Sequence, residues 1–211
     1  MHIKTFVFNP FQVNTYLLYD DNKAGILIDP AMMFPEERHE FKTYLETHGI
    51  KLKKALFTHG HIDHIAGAAW VKTEFGLSPT AHAADNALIN AAEMHAEAFG
   101  IDIDPPADVN YKLEHGNTIY SGNITLHCRL VPGHSPGSIA FIEKETKSIF
   151  TGDALFAGSI GRTDLPGGDY DTLIHSIQEQ LMILPSDYTI HPGHGPKSTI
   201  QNEKTGNPYI H

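Results

Sequence analysis

The chain has 211 residues, 41% of them hydrophobic, enough to bury one sizeable core, and its length favours one domain over residues 1–211. A formal net charge of −10, with pI near 5.8, runs against binding a nucleic-acid backbone, and Lys and Arg gather only at Lys51, Lys53 and Lys54. No tract is long enough to span a bilayer, and the N-terminal MHIKTFVFNPFQVNTYLLYDD lacks the pattern of a secretion leader. The lone Cys128 cannot form an internal disulfide and says little else about compartment; a cytoplasmic setting is the default expectation, with neither a nucleic-acid nor a membrane partner.

In chain order, short apolar runs read as strands: IKTFVF, VNTYLLY, AGILID, KKALFT, ITLHCRLV, SIAFI, KSIFTG and DYTIH. Helical spacing runs from about Pro35 to Thr47, Asp63 to Phe75, Ala83 to Phe99 and Tyr170 to Leu184. Prolines and aspartates make DIDPPADVNYK a loop. Strands that begin as meanders and then alternate with helices predict a mixed α/β sandwich. Cys128 alternates with Leu126 and Leu130 on an apolar strand face, where a buried, inert thiol is expected.

Acids and histidines fall at the ends of these runs. AGILI leads into Asp29, ALFT into His59, HCRLVPG into His134, KSIFTG into Asp153 and DYTIHPG into His194. Side chains beyond the carboxyl ends of strands can converge while the core stays apolar, so these positions predict one shared site. The repeated Pro-Gly-His at 132–134 and 192–194 hints at two similar halves.

The densest feature is His59-Gly60-His61-Ile62-Asp63-His64, a His-x-His-x-Asp-His pattern. Even with 15 histidines in the chain, a chance match has odds of roughly one in a few hundred. Imidazole nitrogen and carboxylate oxygen suit zinc, and less selectively iron or manganese. In an extended loop His59 and His61 point the same way. Asp63 and His64, at the start of the next helix, can turn towards a second ion. His134, Asp153 and His194 can complete two centres, with Asp153 able to bridge.

HGHIDH, the PGH ending at His134, TGDALF around Asp153 and PGHGP around His194 together resemble the metallo-β-lactamase superfamily, and especially its glyoxalase II-like hydrolases, over nearly the whole chain. The resemblance implies a four-layer αββα sandwich. It implies that His59, His61 and His134 bind one metal, that Asp63, His64 and His194 bind the other, and that Asp153 bridges them. Asp29 would hold a ligand histidine in its tautomer.

The departures concern the substrate. Glyoxalase II carries a C-terminal helical extension that contributes to its glutathione site, and this sequence ends 17 residues after His194. Arg162 stands where that family offers a lysine to the glutathione carboxylate, and could serve bidentately or pair with Asp164 or Asp169. Asp164 occupies a family tyrosine position, which counts against glutathione itself. The glycines at 158, 161, 167 and 168 fit no phosphate-binding pattern and would let a loop pass close to the metals.

The remaining histidines read as bystanders. His2, His39, His48, His95 and His211 are expected at the surface, and His115, His127 and His175 in strand or helix packing. His82 and His191 are open to a structural or supporting role.

The expected activity is hydrolysis of a small-molecule acyl thioester. Two divalent ions would activate a shared water as the nucleophile, with Asp63 and Asp153 as the catalytic carboxylates. A thiolate leaves without prior protonation, which suits a site with no evident general acid. Rival readings are a mononuclear iron persulfide dioxygenase of the same fold using His59, His134 and Asp153, a lactonase or phosphodiesterase, and a non-catalytic metal-binding protein. A nitric-oxide-reducing diiron role is disfavoured, because that branch has glutamate at the second histidine of the motif. The sequence leaves oligomeric state and the native metal open.

Overall fold

Strands β1 (His2–Phe8), β2 (Val13–Tyr19) and β3 (Ala24–Ile28) form an antiparallel meander. β4 (Lys51–Leu56), β5 (Thr80–His82) and β6 (Asn110–Leu113) extend it in parallel, in the order β1-β2-β3-β4-β5-β6. The computed structural model describes residues 1–106 and 108–210, so the expectation for His211 falls outside the described residues. Helix α1 (Pro35–His48) connects β3 to β4; Pro35 opens it, the Glu37 carboxylate accepts from the Met33 and Phe34 N–H groups ahead of it, and left-handed Gly49 ends it. Helices α2 (Ile62–Ile65) and α3 (Ala68–Phe75) lie between β4 and β5. A 3₁₀ turn at Ala83–Asp85 followed by α4 (Asn86–Asn90) and α5 (Ala92–Ala98) lies between β5 and β6.

The second half repeats the plan. β7 (Thr118–Ser121), β8 (Ile124–Leu130), β9 (Ile139–Glu143) and β10 (Ser148–Gly152) pair antiparallel. A small hairpin, β11 (Leu155–Phe156) and β12 (Ser159–Ile160), and helix α6 (Tyr170–Gln180) follow. β13 (Thr189–Pro192) then docks parallel to β10, β14 (Ser198–Thr199) edges the sheet, and α7 (Ile200–Gly206) closes the described elements. The second sheet runs β14-β13-β10-β9-β8-β7.

Burial explains the layering. β2 and β3 are apolar on both faces because both faces are covered. Leu18, Ile26 and Ile28 meet Leu126, Phe141 and Phe150 between the sheets, with Cys128 among them. Leu17 and Leu27 face outward against Phe41 and Leu45 of α1 and Val71 of α3. On the far side, Leu173 and Ile177 of α6 cover Ala140, Ile142, Ile149 and Ile190. The result is the four-layer αββα sandwich. Among the described residues no helix is long and apolar enough to cross a membrane.

Three sequence expectations change. The helix expected over Asp63 to Phe75 breaks at Gly67, whose N–H donates to Pro30 O at 2.8 Å and where a Cβ would stand 2.5 Å from Met32 Sδ. The helix expected from Ala83 to Phe99 is three short pieces. The supposed loop DIDPPADVNYK ends in β6, which becomes a strand by pairing with β5, a tertiary cause that composition does not carry.

Candidate metal centre

Five strand ends deliver the site. Asp29 follows β3, His59 and His61 follow β4, His134 follows β8, Asp153 follows β10 and His194 follows β13. The two halves are sewn together there by Asn14 N–H, which donates to Gly193 O at 2.7 Å, while Gly193 N–H donates to Gly152 O at 2.8 Å within the second half. Position 193 has no room for a side chain, since a Cβ would lie 2.1 Å from Asp153 Oδ1 and 2.7 Å from His64 Cε1.

Six of the seven side chains gather into two triads, and Asp153 joins them. His134 Nε2 lies 2.9 Å from His61 Nδ1 and 3.2 Å from His59 Nε2. His64 Nε2 lies 3.3 Å from His194 Nε2, and Asp63 Oδ2 is 3.3 Å from His194 Nε2. Asp153 spans both groups: Oδ1 is 3.3 Å from His64 Nε2, and Oδ2 is 3.7 Å from His134 Nε2 and 3.4 Å from His194 Nε2. The loop and helix divide the motif, with His59 and His61 in one triad and Asp63 and His64 in the other.

Outer hydrogen bonds set which ring nitrogens face inward. His64 Nδ1 donates to Asp29 Oδ2 at 3.0 Å, His134 Nδ1 to Arg162 O at 2.8 Å and His194 Nδ1 to Phe11 O at 2.9 Å. Thr58 Oγ1 gives its proton to Asp29 Oδ2 at 2.7 Å, and so accepts from His59 Nδ1 at 3.0 Å. When neutral, each of these four imidazoles therefore turns a bare Nε2 lone pair to the centre. Lone pairs this close repel one another, and Asp153 Oδ1 is buried without a hydrogen-bond donor. A pair of divalent cations resolves both, so the donor set fits such ions.

The electrostatics differ between the triads. Burial, reinforced by neighbouring imidazoles, holds His59 well below its ordinary value and His61 down to about 3, so both are neutral ligands in waiting. At His64 burial opposes protonation, yet Asp153, Asp63 and Asp29 outweigh it and lift the ring well above the ordinary value. His194 is likewise lifted against burial, to about 9, by its contacts with Asp153 and Asp63. Asp153, though buried, sits well below the usual carboxylate range beside His64 and His194.

A family model described as the metallo-beta-lactamase superfamily matches residues 8–194. The chain belongs to that superfamily. It is 38% identical to hydroxyacylglutathione hydrolase GloC of Haemophilus influenzae, over all of this chain and 98% of that protein. It is 33% identical to the mitochondrial persulfide dioxygenase ETHE1 of Mus musculus, over 93% of this chain and 70% of that protein. The crystal structure of TTHA1623 in a di-iron-bound form covers 100% of both chains with a TM-score of 0.88 and 35% identity.

The centre opens into a cavity of about 340 Å³. Arg162 lies on its rim, where Nε and a terminal nitrogen each donate at 2.7 Å to Asp164, the first of the two salt-bridge partners that the sequence offers. His95, expected as a surface residue, lines the cavity, because α5 turns one face inward. His175, expected in packing, is exposed and pairs with Glu179. His82 accepts from Ala84 N–H and caps the 3₁₀ turn, and His191 is buried against Phe150 and Tyr16; neither joins the triads. A Cβ at Gly161 would lie 1.8 Å from Asp153 O, so this glycine does admit the loop beside the centre.

Sequence reasoning missed Asp85. Fully buried at the start of α4, it makes no cap of its own. Instead Oδ2 accepts from Gly60 N–H and Ser135 Oγ at 2.8 Å each, and Oδ1 from Gly137 N–H at 2.6 Å. One carboxylate thus fastens the His59–His61 loop to the His134 loop. The only sequence signal was an aspartate near the apolar helix start, which reads equally well as an ordinary N-cap.

Proposed function

We propose that the protein is a dinuclear metal-dependent hydrolase that cleaves acyl thioesters. The observation that carries this is the carboxylate of Asp153 standing between two complete triads, His59/His61/His134 and Asp63/His64/His194. Two divalent ions, zinc foremost and iron or manganese also compatible with the donors, would supply an activated water and neutralise developing negative charge. The protein's part is to orient. Asp29 and Thr58 hold His64 and His59 in the ligand tautomer, and Asp63, half in the cavity, aims the attacking water. The substrate carbonyl enters beside Asp153, and Arg162 stands at the rim with its charge balanced by Asp164. Among the described residues no separate acid faces the cavity beyond His95, which suits a leaving group that departs as an anion. The 38% identity to a hydroxyacylglutathione hydrolase supports the same substrate bond.

The likeness to persulfide dioxygenases favours a second reading, in which a single iron is held by His59, His134 and Asp153. Asp63, His64 and His194 would then have no task, although Asp29 orders one of them at 3.0 Å. Zinc-loaded protein assayed on thioesters of several thiols should hydrolyse them, with Asp153→Ala lowering kcat by roughly a hundredfold or more. Oxygen uptake with a thiol persulfide and no thioester cleavage would reject the proposal.

A further inference from the structure

Beyond the bond cleaved, the cavity walls bear on what is attached to it. Four separate stretches of chain turn apolar side chains over the centre: Phe11 from the β1–β2 turn, Ile62 from α2, Leu88 and Phe99 from α4 and the end of α5, and Leu165 and Pro166 from the loop after β12. Phe11 and Phe99 meet edge to face, ring centroids 6.0 Å apart at 89°. Phe99 remains 61% exposed although it faces the centre. Apolar surface left open beside a reactive site marks where a ligand is to lie.

The wall has little with which to hold charge. Among the described residues no lysine lines it. Its guanidinium, on Arg162, is held side-on by Asp164 through Nε and one terminal nitrogen, which offsets its charge. A substrate carboxylate pressed against the apolar part of this wall would lose water with no unpaired guanidinium or ammonium beside it. An uncharged hydrocarbon loses nothing there and covers Phe99.

We infer that this centre selects thioesters whose acyl group is uncharged and apolar, of medium chain length or carrying an aryl ring, seated against Phe11, Leu88, Phe99 and Leu165. This rests on the thioesterase reading above. The departing thiolate gains charge and belongs at the open mouth in water, which leaves the wall to the acyl chain. In the reaction, water adds to the carbonyl carbon, the C–S bond breaks with its electron pair leaving on sulfur, and a carboxylic acid and a thiol result. No oxidant or reductant is needed.

The test uses zinc-loaded protein and thioesters of one small neutral thiol bearing acetyl, butanoyl, hexanoyl, phenylacetyl and succinyl groups. kcat/KM is expected to rise about fourfold per added methylene until the cavity is full. Succinyl should be the poorest of the larger acyl groups, and Phe99→Ala should lower the hexanoyl-to-acetyl ratio. A flat series, or a preference for succinyl, would overturn the inference while leaving thioester hydrolysis standing. If no thioester is cleaved, the reading beneath fails separately, and calorimetry with butanoate, hexanoate and octanoate decides the pocket. Tightening with chain length supports it, and equal affinities overturn it.

Discussion

Asp29 and His64, 35 positions apart, meet at 3.0 Å in the fully buried floor of the centre, and the same aspartate oxygen takes the Thr58 hydroxyl at 2.7 Å. Asp29 Oδ1 also accepts the Thr58 N–H at 2.7 Å. Its backbone is left-handed, at φ +51, a conformation that aspartate tolerates better than most residues and that turns the chain sharply at the end of β3. One carboxylate thus fixes a histidine of each triad, His64 directly and His59 through Thr58.

Replacing Asp29 with Ala should therefore weaken metal binding at both positions by roughly 10–100-fold, though no ligand is removed. Competition with a chromophoric chelator measures this. Unchanged affinity at both positions would show that the tautomers are set elsewhere.

Asp85→Ala leaves the Gly60 and Gly137 N–H groups and the Ser135 hydroxyl buried without their acceptor. Burial pushes the Asp85 carboxyl upward while those three hydrogen bonds pull it back, the balance of a group kept for its contacts. The expected loss is about 3 kcal/mol or more in urea unfolding, with metal affinity reduced at the His59/His61/His134 position. Asp85→Ala with wild-type stability would remove the clamp from consideration.

His191 yields a pH prediction free of the ligand set. Burial holds its ring down to about 4, against an ordinary value of 6.5, stacked on Phe150 with 4.8 Å between centroids. The unfolded chain takes up a proton at this residue before the folded protein does. Stability is fully present above pH 6.5 and is lost as pH falls towards 4, by ~3 kcal/mol at most for this residue. His191→Phe should keep the stack and flatten that part of the acid slope relative to wild type. Parallel slopes for the two proteins would show that His191 titrates normally when folded.

Much of the architecture could be read from the sequence because strand-length apolar runs bury on both faces, and because Asp29, His59, His61, His134, Asp153 and His194 sit one to five residues past the strands that aim them. The His59–His64 motif divides between two triads for a local reason, the change from extended loop to helix at His61. What stayed hidden depends on partners distant in the chain. β6 exists only by pairing with β5, Gly67 breaks a helix because Met32 and Pro30 occupy its place, and Asp85 looks like a helix cap until Gly60 and Gly137 are seen against it. Arg162 was legible as a charge near the site, while its engagement with Asp164 needed the loop's geometry.

The most direct measurement is titration of metal-free protein with zinc, following bound metal per chain and thioester cleavage in the same samples. Activity that appears only as the second equivalent binds, and is absent from His194→Ala loaded with one, is the predicted result. Full turnover at one equivalent, or oxygen uptake supported by a single iron with His194→Ala unimpaired, would contradict a two-metal hydrolase.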